Sequence, residues 1–143
     1  MSESPLLLTI LGPTACGKTA LAVAVAARLD AEIISADSRQ VFRGMDIGTG
    51  KDIKEYTLQD RTIPCHLVDI RDAGEEYNLY QFQNDFVEAF NSIIASGHRA
   101  ILCGGTGMYI ESVVRDYQLP DAPVDMDFRE RMSRYSDDEL TER

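Results

Sequence analysis

An α/β fold, built on a parallel sheet of the phosphate-loop type with helices on its faces, is the class this sequence predicts. Three observations predict it. Short apolar runs alternate with stretches of helical period, a glycine-rich turn stands where the first run meets the first helical stretch, and three later runs each end in residues suited to polar ligands. Strands separated by helices of this length imply right-handed crossovers, a parallel sheet, and ligands at the carboxyl ends of the strands.

The elements follow in order. LLLTIL (6–11) reads as a short buried strand and KTALAVAVAARL (18–29) as an Ala-rich helix. EIISA (32–36), CHLVDI (65–70) and RAILC (99–103) are the further strand candidates. Before the last of these, Leu79, Phe82, Phe86, Phe90, Ile93 and Ile94 recur at helical spacing, with Asn78 as the cap and Gly97 as the stop. That aromatic stripe is read as core rather than as a ligand box. A boundary is expected in QLPDAPVD (118–125), where prolines and aspartates precede a charged, helix-compatible segment running to Arg143.

Composition narrows the function. The 143 residues are 44% hydrophobic, enough for one core, and include no apolar run near the roughly 20 residues of a membrane span. The opening MSESP has no basic stretch followed by an apolar one, so a cytoplasmic protein without a membrane anchor is expected. Three cysteines, odd in number and widely spaced, favour reduced thiols over a disulfide framework. Cys65 beside His66 offers only two adjacent ligands, too little to argue a metal centre. A net charge of −10, with nine acidic against four basic residues from Asp116 onward, argues against a broad electrostatic RNA binder. An RNA gripped locally, at one pocket, is still allowed.

GPTACGKT holds the clearest chemistry. Gly12 and Gly17 permit backbone angles that a side chain resists, so the amides of residues 14–19 can turn toward one anion, aided by the helix N-terminus. Lys18 supplies a mobile charge for terminal phosphate oxygens, and the Thr19 hydroxyl can reach a Mg²⁺ or a bridging oxygen. Gly12, Pro13, Thr14, Ala15, Cys16, Gly17, Lys18 and Thr19 are thus the expected diphosphate site, with Cys16 as a small filler open to oxidation. No residue in the loop selects a nucleotide over a bare diphosphate.

Three segments should surround that anion. The second strand delivers Asp37 to Gln40, the third Asp69, and the fourth Gly104 to Gly107. Asp37 can act as a general base, hold Mg²⁺ through water, or cap the turn that follows. Asp69 reads equally as the metal-side acid of an ATPase or as a turn aspartate. GGTG can contact a substrate through its backbone and Thr106, or can simply turn the chain.

GPTACGKTALA, IISADSRQVFRGMDIGTGK, HLVDI and GGTGMYI, in this order and separation, resemble the tRNA dimethylallyltransferase family, also called tRNA isopentenyltransferases. The second block is the specific one, since a phosphate loop alone is widespread. The resemblance implies transfer of a five-carbon prenyl group from dimethylallyl diphosphate to the exocyclic amine of an adenine beside the tRNA anticodon. It implies Lys18, Thr19 and Asp37 as the residues that carry the reaction, with Mg²⁺ as cofactor. It also implies tRNA contacts from Asp37, Ser38, Arg39, Gln40, Thr106 and Arg129.

Cys16 stands where the family usually has a small hydroxyl residue, and GTGKD where it often has GTAKP. Residues 1–118 would be an incomplete catalytic core and 119–143 the start of a helical tRNA-gripping insertion, in a protein acting as a monomer. The chain alone would then be inactive on tRNA. Three other classes fit the loop: a prenyltransferase using a free adenosine nucleotide, an ATP-binding small-molecule kinase, and a non-catalytic phosphate-binding module.

Overall fold

The computed structural model describes residues 6–51, 53–120 and 125–141. The MSESP opening, residues 121–124 of the expected boundary, and Arg143 lie outside the described residues. Four strands form the main sheet: β1 (Leu7–Leu11), β2 (Ala31–Ala36), β5 (Cys65–His66) and β6 (Arg99–Gly104), in the order β1-β6-β2-β5, all parallel. The late strand β6 lies between the first two, pairing Leu11 and Ala36 on either side of Gly104. That register brings three strand ends together at one edge.

Helices cover both faces, as the alternation of side chains along β2 and β6 requires. Ile33 and Ile101 point to one side and pack with Ala22, Val23 and Ala26 of α1 (Lys18–Leu29). Ile34 and Leu102 point to the other and pack with Phe82, Phe86 and Ile93 of α2 (Leu79–Ala95) and with Tyr109 and Ile110 of α3 (Gly107–Val114). Phe82 stacks on Tyr109 with ring centroids 4.1 Å apart. The aromatic stripe is core, because its period matches the face that α2 presents to the sheet.

Local signals set the ends of α2. The Asn78 carboxamide accepts from the Gln81 amide and the Gln81 side chain accepts from the Asn78 amide, both at 2.9 Å, a reciprocal cap. Gly97, at φ 85°, takes the left-handed turn that ends the helix. Among the described residues, no helix is long and apolar enough to cross a membrane.

The strand expected over 65–70 is shorter than its apolar run suggests. Only Cys65 and His66 pair with β2, because Leu67 (φ 62°) and Asp69 (φ 55°) turn left-handed and break the extended path. The segment instead bonds to the loop after β2, with the Ile70 amide donating to the Val41 carbonyl at 2.8 Å. A small hairpin, β3 (Thr57–Leu58) and β4 (Arg61–Thr62), follows a 3₁₀ turn over Ile53–Tyr56. Its turn residues Gln59 and Asp60 both have positive φ without a glycine to announce it. The charged tail holds two short helices, α4 (Met126–Met132) and α5 (Asp137–Thr141), with no buried residue in either.

Candidate active site

One cleft of about 310 Å³ opens at the carboxyl edge of the sheet. Its floor is the glycine-rich turn, from which Thr14, Ala15, Gly17, Lys18 and Thr19 line it. Asp37 and Gln40 after β2, Gly104 and Gly105 after β6, and Thr49, Gly50 and Tyr56 from later loops form the walls. The sheet order explains the assembly: β1, β6 and β2 are neighbours, so the turns that follow them converge.

The turn works somewhat differently from its sequence reading. Gly17 has φ 84° and stands as the residue before α1, as expected. The second left-handed residue is Ala15 (φ 60°), not Gly12. A Cβ at Gly12 would lie 3.2 Å from the Sγ of Cys16, an exposed side chain that would have to give by only a few tenths of an ångström. Lys18 folds back over the turn, where its ammonium donates to the Pro13 carbonyl at 2.5 Å and lies 3.9 Å from the Cys16 sulfur. An arriving phosphate would have to replace that carbonyl, a neutral acceptor, with an ionised one.

Asp37 faces the cleft with its side chain about one-fifth exposed. Its Oδ1 accepts from the Arg39 amide at 2.9 Å, so the carboxylate also holds the turn that follows it. The turn-capping reading of Asp37 is thus seen directly, in a carboxylate that also lines the cleft. Ser38, Arg39 and Thr106 do not line the cleft, while Gln40 does. The Thr106 hydroxyl accepts from the Ser38 amide at 3.0 Å, tying the two turns together behind Asp37. Arg129 is exposed on α4 and is not among the cleft residues.

Asp69 is not in the cleft either. It pairs with Lys51, whose ammonium also donates to the Phe42 carbonyl at 2.8 Å and lies 3.0 Å from Asp46. Burial alone would depress the Lys51 ammonium, but the carboxylates of Asp69 and Asp46 outweigh it and hold it above the usual lysine value. Asp69 thus acts as a structural counter-ion at a left-handed turn, rather than as a metal acid. Sequence reasoning missed Lys51, Thr49 and Gly50. The signal was the GTGK run, whose glycines at positive φ (80° and 68°) and buried Thr49 and Lys51 mark a tightly built loop.

The thiols and histidines do other work. Burial raises the thiols of Cys65, to about 12, and Cys103, to about 11; Lys18 partly offsets the effect on Cys103. His66 does not join Cys65 on a metal: its Nε2 is 2.6 Å from Glu32, whose other oxygen is 2.7 Å from His98 Nδ1. No group of three His, Cys, Asp or Glu side chains placed to hold a metal exists among the described residues. Thr19 and Asp37 are hard oxygen donors beside the phosphate turn, a set that suits Mg²⁺, which takes few protein ligands and fills its shell from water and phosphate.

The chain is similar to known proteins over most of its length. The family model described as IPP transferase matches residues 40–143. A tRNA dimethylallyltransferase 2 of Porphyromonas gingivalis strain W83 is 61% identical over 135 residues, covering 94% of this chain and 45% of its own length. The solved tRNA isopentenylpyrophosphate transferase of Bacillus halodurans superposes with a TM-score of 0.76 at 40% identity, over 91% of this chain and 42% of its own. That of Staphylococcus epidermidis gives 0.73 at 34% identity, over 94% and 43%. The chain spans less than half the length of these curated relatives and solved structures. The family model, matched over most of the chain, and these similarities make the chain, whose glycine-rich turn and Asp37 line one cleft, a member of the IPP transferase family.

Proposed function

We propose that the protein serves the transfer of a dimethylallyl group from dimethylallyl diphosphate to the exocyclic amine of an adenine adjacent to the tRNA anticodon. The observation that carries the reading is that Asp37 and the Lys18–Thr19 turn line one and the same cleft. A leaving diphosphate and an amine losing its proton need those two groups.

In the reaction, the allylic carbon–oxygen bond breaks as the adenine nitrogen forms its bond to the same carbon. The diphosphate keeps the electron pair and remains on the turn, where Lys18 exchanges the Pro13 carbonyl for phosphate oxygens and the amides of residues 14–19 supply further donors. Thr19 bonds the bridging oxygen. A Mg²⁺ held at Thr19 would neutralise charge on the departing diphosphate. Asp37 accepts the amine proton as the new bond forms, since a neutral exocyclic amine is otherwise a weak nucleophile. The adenine must leave its stack to enter the cleft.

Gln40, in the cleft wall, suits contact with that base, whereas Ser38, Arg39 and Arg129 would meet the RNA outside it. The reading takes the protein to act as a monomer. An exposed thiol, Cys16, in the working turn suits a reducing, cytoplasmic setting.

The test is Asp37→Asn in the complete gene product. Dimethylallyl diphosphate binding should survive while transfer to an anticodon stem-loop falls steeply. If binding and transfer drop together with the fold intact, Asp37 organises the turn or the metal and is not the base.

A further inference from the structure

Thr106 stands immediately before α3, with φ −83° and ψ 95°, where a threonine hydroxyl ordinarily accepts from an amide of the first helical turn. Here it makes no such bond. The hydroxyl accepts from the Ser38 amide at 3.0 Å and donates toward the Ser38 Oγ at 3.4 Å. The Thr106 amide donates to the Ala36 carbonyl at 3.1 Å. Ala36 and Ser38 are the two chain neighbours of Asp37, so one residue holds the backbone on both sides of that carboxylate.

The approach that permits this clamp is built into the sequence. A Cβ on Gly104 would lie 2.2 Å from the Ala36 carbonyl oxygen, so only glycine lets the end of β6 come this close to the end of β2. On the far side, the Arg39 amide donates to the Asp37 Oδ1 at 2.9 Å. Asp37 is thereby fixed by backbone restraints before and after it and by one bond to its own carboxylate.

We propose that Thr106 is the positioning residue for Asp37, acting through the Ala36–Ser38 backbone. The inference rests on the reading of Asp37 as the base. Proton transfer is steeply sensitive to placement, and an error near 1 Å can cost on the order of 10²-fold in rate. Losing the hydroxyl should therefore lower kcat and leave the acceptor KM alone.

The test compares Thr106→Val, which keeps shape and loses the hydroxyl, with Thr106→Ser, which keeps the hydroxyl, both in the complete gene product. Valine removes no cap from α3, since the hydroxyl makes none. Amide hydrogen exchange at Ser38 should quicken about tenfold in the valine variant, and serine should restore it. The Arg39 amide proton resonance, which reports its bond to Asp37, should move in the valine variant and return with serine. Affinity for inorganic pyrophosphate should stay within about twofold, as expected for an independent site.

With dimethylallyl diphosphate and an anticodon stem-loop, kcat should fall on the order of 10²-fold in the valine variant at unchanged acceptor KM. An Arg39 resonance that stays in place overturns the proposal. So does a raised acceptor KM at unchanged kcat, which would make Thr106 an RNA contact. A parent protein that transfers nothing counts against the functional reading alone, and the Arg39 resonance then decides the role of Thr106.

Discussion

Lys51 and Asp69 form an ion pair beneath the loop that walls the cleft, with the Lys51 side chain only 1% exposed. The ammonium has three donors and meets three acceptors: Asp69, Asp46 and the Phe42 carbonyl. It thereby closes the 42–51 loop on itself and fastens it to the turn after β5. Lys51→Met should destabilise the protein by about 2–3 kcal/mol, below the usual cost of breaking a pair buried on both sides because Asp46 is exposed. Chemical denaturation measures the loss, and limited proteolysis should cut first between Arg43 and Gly50. A Lys51→Met protein as stable and as resistant as the parent would mean that the pair holds nothing.

The Lys18 ammonium donates to the Pro13 carbonyl, a neutral acceptor within its own turn. Lys18→Ala should therefore leave stability nearly unchanged while weakening inorganic pyrophosphate about 10- to 100-fold, the worth of a charge-assisted bond. Calorimetric titration against the parent checks this. Equal affinities would take Lys18 out of the anion site.

Gly104→Ala puts a methyl group against the backbone of Ala36, with its Cβ 2.2 Å from the oxygen and 2.5 Å from the carbonyl carbon. Neither atom is the end of a flexible side chain, so the two strands must separate. A loss of about 3 kcal/mol is expected, at the upper end for overpacking. Thermal unfolding should show it. Unchanged stability would mean that the strand ends spread without cost.

Glu32 governs the acid limb of stability. Burial would raise its carboxyl, but hydrogen bonds from His66 and His98 outweigh that and hold it below the ordinary 4.5. A carboxyl depressed in the folded state contributes stability above 4.5, and the contribution is lost as pH falls through the lower folded value. Glu32→Gln should thus be less stable than the parent near neutral pH, with the gap narrowing as the medium is acidified below 4.5. A gap that is constant with pH would refute the assignment.

The tail offers few charges to RNA. Arg134 is 3.1 Å from Glu130, Arg131 lies over the Phe128 ring, and α5 begins with Asp137, Asp138 and Glu139. Several phosphate contacts are needed for retention at physiological salt. The 143-residue chain by itself should therefore fail to hold an anticodon stem-loop in filter binding, while still binding pyrophosphate. Submicromolar retention would locate a basic face that neither the composition nor the exposed arginines reveal.

Elements whose causes are local were legible in the residues. The α1 span, the Asn78 cap, the Gly97 stop and the aromatic face of α2 depend on side chains within a few positions of one another. The glycine-rich turn before α1 was legible for the same reason, although Ala15 rather than Gly12 takes the second left-handed position. What depends on strands meeting was not. CHLVDI has the apolarity of a six-residue strand, yet only two residues pair, because the bonds that Ile70 and Asp69 make to the loop after β2 outweigh their own propensity. The role of Asp69 needed Lys51, 18 residues away, and that of Thr106 needed Ser38, 68 residues away. Residue types determined which groups could handle a diphosphate and a proton. Only the packing of β6 between β1 and β2 decided which of them share a cleft and which stand behind it, since backbone bonds between distant segments have no period that a sequence can display.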